Sequence, residues 1–177
     1  LLLTTVTAQN SGSDNVTGIF RNKNEFLNRE ITNIRISDSL NYVQVNFAGR
    51  LILIRNGVPN QIQLASIFGY YDHGNRYRAF TDSKGFLSID GYFKLEDEGD
   101  LIIYSKYGYL RSANTNFFYF SRSIDSPIIR LTVKNLKKEF KGLKELVVNL
   151  KNSSHSLTEV EGGHFVLNNI IKKHYRN

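Results

Sequence analysis

Residues 91–121 read GYFKLEDEGDLIIYSKYGYLRSANTNFFYFS, and this stretch decides the fold. It holds three short apolar and aromatic segments separated by polar residues, a pattern typical of β-strands joined by turns. The run 117–120 is aromatic at every position, so we expect a strand that is covered on both faces. The acidic run 96–100 contains Gly99 and lacks the ligand spacing of a calcium loop, which predicts a hairpin turn. The three predicted strands are 92–95, 101–104 and 117–121.

The same pattern continues toward the N-terminus. Apolar residues alternate with polar ones in 30–38 and 41–48, and 51–54 is a short apolar run bounded by turns. Asn56-Gly57 is the strongest short-range hairpin signal in the chain. Strands at intervals of about 8–12 residues predict an antiparallel β-rich body over 18–126, built as a meander, a sandwich or a small barrel. Further predicted strands are 61–64, 68–71, 77–80 and 86–89, with one short helix near 24–29.

In the C-terminal region, residues 127–177, the period of the apolar residues becomes helical. Thr132 can cap a helix that Gly142 ends. Two further helices are expected at 143–150 and near 164–175. The predicted fold class is therefore α+β, with C-terminal helices packed on the β-rich body as part of one domain.

The positive charge is concentrated in these helices. Residues 1–127 carry 13 Lys and Arg against 12 Asp and Glu, whereas residues 128–177 carry 10 against 4. Lysines at i, i+3, i+4 and i+7 line one side of the first C-terminal helix, which indicates either a solvated face or a surface that binds anions or an acidic partner. Lys binds phosphates and bases less specifically than Arg, which argues against nucleic acid. The lysines are Lys134, Lys137, Lys138 and Lys141, extended by Lys144.

Aromatic residues are the second candidate surface. Fifteen of the 22 Phe and Tyr residues lie between Phe68 and Phe120. Most of them fit a β core, because Phe and Tyr favour strands and bury large areas. Tyr71, Tyr107 and Tyr109 flank polar turns and are the candidates for an exposed stacking or interface surface.

The sequence lacks the motifs that are typical of several classes of function. The chain has no Cys and only four scattered His, so we expect neither a metal site nor a cofactor. It has no Walker loop, no dinucleotide fingerprint and no Gly-x-Ser-x-Gly elbow. A hydrolase built from Ser, Asp and Glu alone stays open, but the pattern nominates no catalytic residue.

The first residues have the character of a processed signal. Residues 1–8 are mostly apolar, and Val6 and Ala8 are small residues at the −3 and −1 positions that signal peptidase accepts. The polar residues 9–17 that follow predict a disordered start of the mature chain. The alternative is an ordinary apolar strand. No segment is long enough to predict a transmembrane helix.

Local strings spread over residues 18–140 carry a resemblance. They are Gly18-Ile19-Phe20, Glu25-Phe26-Leu27, Ile67-Phe68-Gly69-Tyr70, Tyr77-Arg78, Gly99-Asp100-Leu101-Ile102-Ile103-Tyr104-Ser105 and Leu131-Thr132-Val133-Lys134-Asn135-Leu136. In these strings the chain resembles an uncharacterised group of exported proteins of the Bacteroidota. The resemblance implies export to the periplasm or beyond, and it supplies no catalytic residue.

Together these observations predict an exported, non-enzymatic binding or accessory protein of the bacterial cell envelope. We expect a protein partner in an envelope complex, with an anionic surface as a second possible target. The alternatives are a surface carbohydrate- or peptide-binding module, which needs the three tyrosines grouped on one patch, and a metal-independent hydrolase, which needs two converging carboxylates.

Overall fold

The computed structural model describes residues 6–7, 15–36, 38–45, 50–81, 90–110, 113–140 and 157–175. The chain forms two compact units, Leu1–Lys94 and Leu95–Asn177. The division falls inside the segment 18–126 that the sequence predicts as one β-rich body. The predicted strand 86–89, the helix end at Gly142 and the helix at 143–150 lie outside the described residues.

The first unit consists mainly of antiparallel strands, as predicted. One sheet has the order β1-β3-β2-β7-β8-β9, and a separate three-stranded sheet has the order β4-β5-β6. Its elements are β1 (Val6–Thr7), β2 (Val16–Phe20), α1 (Lys23–Asn28), β3 (Glu30–Ile36), β4 (Tyr42–Val45), β5 (Leu51–Arg55), β6 (Val58–Ile62), the 3-10 turn Leu64–Ser66, β7 (Gly69–Asp72), β8 (Asn75–Phe80) and β9 (Gly91–Glu98), whose second half belongs to the second unit.

Two-residue turns set the register of two hairpins. Asn56 and Gly57 join β5 to β6 with φ values of 50° and 75°, and His73 and Gly74 join β7 to β8 with 44° and 82°. Positive φ at both central residues defines a type I′ turn, whose twist matches that of the strands it connects. The hairpin predicted at Asn56-Gly57 is therefore confirmed.

Hydrogen bonds of the Asn22 and Glu25 side chains cap the start of helix α1 and connect it to β3. The Asn22 side chain accepts a hydrogen bond from the Glu25 backbone N–H at 3.0 Å. The Glu25 carboxylate in turn accepts from the Arg21 backbone N–H at 2.7 Å and from the Thr32 hydroxyl at 3.1 Å. Burial opposes ionisation of Glu25, but these hydrogen bonds and the nearby Arg21 guanidinium lower its pKa overall. The short helix is thereby tied to β3.

The core of the first unit contains a tyrosine cluster. Tyr70 and Tyr77 stand opposite each other on β7 and β8 with their rings stacked at 4.3 Å, and Tyr92 meets Tyr70 edge-on at 5.2 Å. Burial raises the pKa of Tyr92 to about 12 and that of Tyr70 further still. These aromatics build the core, as the sequence indicates. Around them pack Ile19, Leu51 and Ile67.

In the second unit two helices pack on a meander of order β9-β10-β11-β12. The cluster that holds the layers together has Ile103 and Phe120 from the sheet, Leu136 from α2 and Leu167 and Ile171 from α3. Its elements are β10 (Ile102–Leu110), β11 (Ala113–Ser121), β12 (Ile129–Arg130), α2 (Val133–Glu139), β13 (Val160–Glu161), β14 (His164–Phe165) and α3 (Val166–Tyr175).

The α+β, antiparallel β-rich class is confirmed, with local differences. Tyr119 and Phe120 are both buried on consecutive positions of β11, so that strand is covered on both faces as predicted. The last helix begins at Val166, because His164 and Phe165 instead pair with β13 across a Gly162-Gly163 turn. At the N-terminus, β2 already begins at Val16, inside the segment predicted as disordered, because its backbone pairs with β3 and β7.

The outer edge of the three-stranded sheet is protected by a proline. Arg55 and Val58 close a two-residue turn and are therefore a hydrogen-bonded pair, so the next residue, Pro59, faces outward. Proline has no N–H to offer at that edge, and such edges resist pairing with another chain.

We predict that Pro59→Thr promotes self-association. The substitution restores an outward N–H in a residue that favours strands. Sedimentation velocity over a range of protein concentrations should show a concentration-dependent dimer. Asn60→Thr is the control, because the Asn60 backbone faces its partner Leu53 on β5 and adds no donor at the edge. A Pro59→Thr variant that sediments like the wild type would contradict this account of the edge.

Candidate functional site: a basic surface on helix α2

Helix α2 presents three lysines to solvent. Lys134, Lys137 and Lys138 are exposed, whereas Leu136 on the other side of the helix is 1% exposed and contributes to the core. Phe140, which ends the helix, is also buried in this core. The apolar side of the helix is thus fixed on the sheet, and its lysine side faces outward as the sequence spacing indicates. We call Lys134, Lys137 and Lys138 the basic surface.

Local hydrogen bonds hold the start of α2 in place. The Thr132 hydroxyl accepts from the Asn135 backbone N–H at 3.1 Å, which confirms the predicted cap. The Asn135 side-chain amide donates to the Arg130 carbonyl at 2.8 Å, and the Leu131 N–H donates to the Phe118 carbonyl at 2.9 Å. The segment that leads from β12 into the helix is therefore tied to the sheet on one side and to the helix on the other.

Two arginines near the ends of the helix lie outside the lysine pattern, and their side chains are on opposite faces of the sheet, because Ile129 pairs with Phe120 on the face that carries the helices. The Arg130 guanidinium lies 4.4 Å from the centre of the Phe117 ring, and that of Arg122 lies 5.2 Å from the centre of the Phe140 ring. Both arginines are exposed. Stacking on an aromatic ring restrains a guanidinium while leaving its N–H edges available. No pattern in the sequence indicates either arginine, because each guanidinium meets a ring from another element.

The three lysines of the basic surface make no ion pair within the described part of the chain. Lys141 and Lys144, which the sequence adds to this surface, lie outside those ranges.

The structure places one candidate tyrosine in the first unit and two on one strand of the second unit. Tyr71 belongs to the first unit, where it is half-buried and meets Phe20 edge-on at 6.4 Å. Tyr107 belongs to the second unit and is 59% exposed on β10, opposite Asn116. Tyr109 follows on the same strand with its backbone opposite Asn114, and its side chain lies outside the described part. Of the three, Tyr107 is the one whose ring is shown to be accessible.

A buried carboxylate joins β9 to the start of α3 in the second unit. Asp97 has a side chain only 3% exposed, and it accepts three hydrogen bonds. His164 Nδ1 donates to one carboxylate oxygen at 2.9 Å, while the Phe165 backbone N–H and the Asn168 amide donate to the other at 3.0 and 2.8 Å. The same Asn168 side chain bonds the backbone of Leu101 through both its N–H and its oxygen. These contacts join β9 and the β9–β10 turn to the start of α3.

The acidic run 96–100 is predicted to form a hairpin turn, but the structure places most of it in a strand. Glu96, Asp97 and Glu98 belong to β9, and the turn is confined to the residues after them. Burial opposes ionisation of Asp97, but the hydrogen bonds from His164, Asn168 and Phe165 outweigh it and lower its pKa. Both oxygens are occupied by the chain itself, so this carboxylate positions α3 and leaves the His164 ring, with a 66% exposed side chain, facing solvent.

Comparison with protein-family models, curated proteins and solved structures gives no significant match to this chain. In the described residues no helix has the length and apolar character needed to cross a membrane, and no three His, Asp or Glu side chains come together as metal ligands.

We predict that Asp97→Asn destabilises the protein by about 2 kcal/mol at neutral pH, because it removes hydrogen bonds to a buried charge. Since the folded-state pKa of Asp97 is lowered, its contribution is present above the unfolded-state value of about 4 and is lost as the pH falls through the folded-state value. Urea unfolding of both proteins at several pH values should show a stability difference that shrinks in acid.

Asp100→Asn is the matched control, since Asp100 is an exposed carboxylate in the adjacent turn. We expect its free energy of unfolding to stay within about 0.5 kcal/mol of the wild type. Equal effects of the two substitutions would show that Asp97 has no special role.

Proposed function

We propose that this protein is an exported, non-enzymatic binding or accessory protein of the bacterial cell envelope that contacts a protein partner through its basic surface. The observation that carries the proposal is the orientation of α2. Three lysines face solvent without an ion pair in the described part of the chain, on a helix whose other side is fixed in the core. A fixed set of like charges attracts an oppositely charged partner and guides its approach.

The alternatives have less support. A hydrolase that uses two carboxylates needs them available to a substrate, and the buried carboxylate of Asp97 is occupied by hydrogen bonds. A carbohydrate- or peptide-binding module is favoured by the exposed ring of Tyr107 alone. We therefore keep such a module as the second candidate, with Tyr107 at its centre.

Export is supported by the residues at the start of the sequence. Val6 and Ala8 fit the signal peptidase pattern, and the resemblance to exported proteins of the Bacteroidota agrees with it. In the structure Val6–Thr7 forms β1, which among the described strands pairs with β3 alone, at the edge of its sheet. Cleavage after Ala8 would remove this edge strand and leave the pairing of β3 with β2 intact.

We predict that the mature protein begins at Gln9. Mass spectrometry of the protein purified from the periplasm or the medium of its native host should give the mass of the chain without residues 1–8, since signal peptidase cuts after the small residue at −1. A native protein that retains Leu1 would contradict export by this route. The precursor accumulated with signal peptidase inhibited is the reference for the uncut mass.

We predict that the double variant Lys137→Gln/Lys138→Gln captures about tenfold less of the envelope partner at low salt than the wild type. The reason is that it removes two charges from the contact. Quantitative pull-down from native envelope extract, followed by protein identification, measures the loss.

The matched control is Lys172→Gln/Lys173→Gln, which removes the same charge from exposed positions on α3. If both double variants capture the partner equally well, the lysines of α2 form an ordinary solvated face.

A further inference from the structure

We infer that the outer edge of β11 binds an extended segment of another protein as an added antiparallel strand, beside Tyr107. The inference is independent of the basic surface on α2. It rests on the second candidate function, the module centred on Tyr107, and names the ligand of that module and the way in which it binds. In strand addition the backbone of a sheet edge supplies affinity, and the side chains on its two faces supply specificity.

The outer edge of β11 is covered only in part by β12. β10 pairs with β11 over its whole length, whereas β12 pairs with Tyr119 and Phe120 alone. The next contact on this edge is the Leu131 N–H, which donates to the Phe118 carbonyl at 2.9 Å before helix α2 begins. Among the described strands, none pairs with 113–117 on this side. We call residues 113–117 the open edge.

The backbone of the open edge points outward at alternate residues. The Phe118 carbonyl faces Leu131, and the backbone N–H and C=O groups of a strand change sides from one residue to the next. Those of Asn116 and Asn114 therefore face the same side as those of Phe118, away from β10. Each of the two asparagines presents one backbone donor and one acceptor on the line that β12 follows. The pairing of β12 shows that this edge accepts an antiparallel strand.

The sequence of the open edge does not protect it from pairing. Residues 113–117 contain no proline and no charged residue, and Asn116 is exposed. The outer edge of β6, by contrast, has Pro59 at an outward position. Proline and charged side chains are the usual means by which an edge strand avoids another strand. The edge of β6 is therefore closed to an added strand, whereas that of β11 is open.

The two faces of the open edge carry different side chains. Tyr107 is on the same face as Ile103, which packs under the helices, and it pairs with Asn116. Because the backbone of Asn116 points away from β10, this pair is of the kind whose side chains stand closest, and both side chains are exposed. On the opposite face the Arg130 guanidinium lies 4.4 Å from the centre of the Phe117 ring.

These two faces specify the kind of segment that fits. Successive side chains of an added strand point to opposite faces, so one would lie beside Tyr107 and the next beside Arg130. An apolar side chain suits the tyrosine ring, and a carboxylate suits the guanidinium. A second copy of this chain is disfavoured, because each copy carries a formal net charge of +7 and the two repel each other. The occupant that fits is an extended segment in which apolar and acidic residues alternate.

The test uses the full chain and a fluorescein-labelled peptide of alternating Val and Glu, with fluorescence anisotropy at about 150 mM salt as the measurement. We expect Asn116→Pro, which removes one outward N–H as Pro59 does on β6, to weaken binding about tenfold. Asn116→Thr is the matched control, since it keeps the N–H, and it should change the affinity by less than about twofold.

A second probe tests strand pairing on the wild-type chain and does not depend on the folding of the proline variant. It is the same peptide with its backbone nitrogens methylated, which keeps every charge and removes every backbone donor. We expect it to bind at least about tenfold more weakly than the unmodified peptide. Equal binding of the two peptides would overturn the inference, because charge attraction alone would then explain the binding.

The basic surface is tested separately by the same measurement. Lys137→Gln/Lys138→Gln should leave the affinity for the unmodified peptide within about twofold, even if capture of the envelope partner is lost. Failure of the wild type to bind the unmodified peptide would overturn the open edge as a site and leave the basic surface standing. A wild-type dimer in sedimentation velocity that Asn116→Pro abolishes would also overturn the inference, since a second copy would then occupy the edge.

Discussion

The buried carboxylate of Asp97 is the constraint on which the second unit depends. It accepts hydrogen bonds from His164, from the backbone of Phe165 and from Asn168. Taking such a charge out of water is costly unless its oxygens are hydrogen-bonded, so the two oxygens specify where these donors must lie. The position of α3 follows, because Phe165 and Asn168 stand at its beginning. Gly99 belongs to the same arrangement, since a Cβ atom there would come within 2.5 Å of the Asn168 side chain.

The placement of α3 matters for the basic surface because the two helices share a core. Leu136 of α2 and Leu167 and Ile171 of α3 pack in one cluster over β10 and β11. With Leu136 and Phe140 buried in this cluster, the lysines of α2 are turned toward solvent. Hydrophobic burial drives this packing, whereas the polar contacts choose its geometry. The exposure of the lysines that are proposed to bind a partner thus follows from the packing of the core.

Much of the fold could be predicted from local patterns. The strands follow from alternation, the β5–β6 hairpin from Asn56-Gly57, and the start of α2 from Thr132, because each signal acts between residues close in sequence. The lysine side of α2 also follows from spacing along a helix. The sequence does not predict the β13–β14 hairpin, because its strands are two residues long and too short to show a period. The acidic run was assigned to a turn because nothing in its neighbourhood shows that Asp97 is buried.

The sequence by itself therefore determined the β-rich α+β class, the concentration of positive charge near the C-terminus and the spacing of the lysines. Only the tertiary structure decided which charged groups have partners and what restrains them. Asp97 meets Asn168 across 71 positions of the chain, and Arg122 meets a ring on a different element from its own. Such contacts arise when layers pack, and no periodicity in the sequence records them. Burial and charge pairing are properties of the packed layers, which is why they could be recognised only in the tertiary structure.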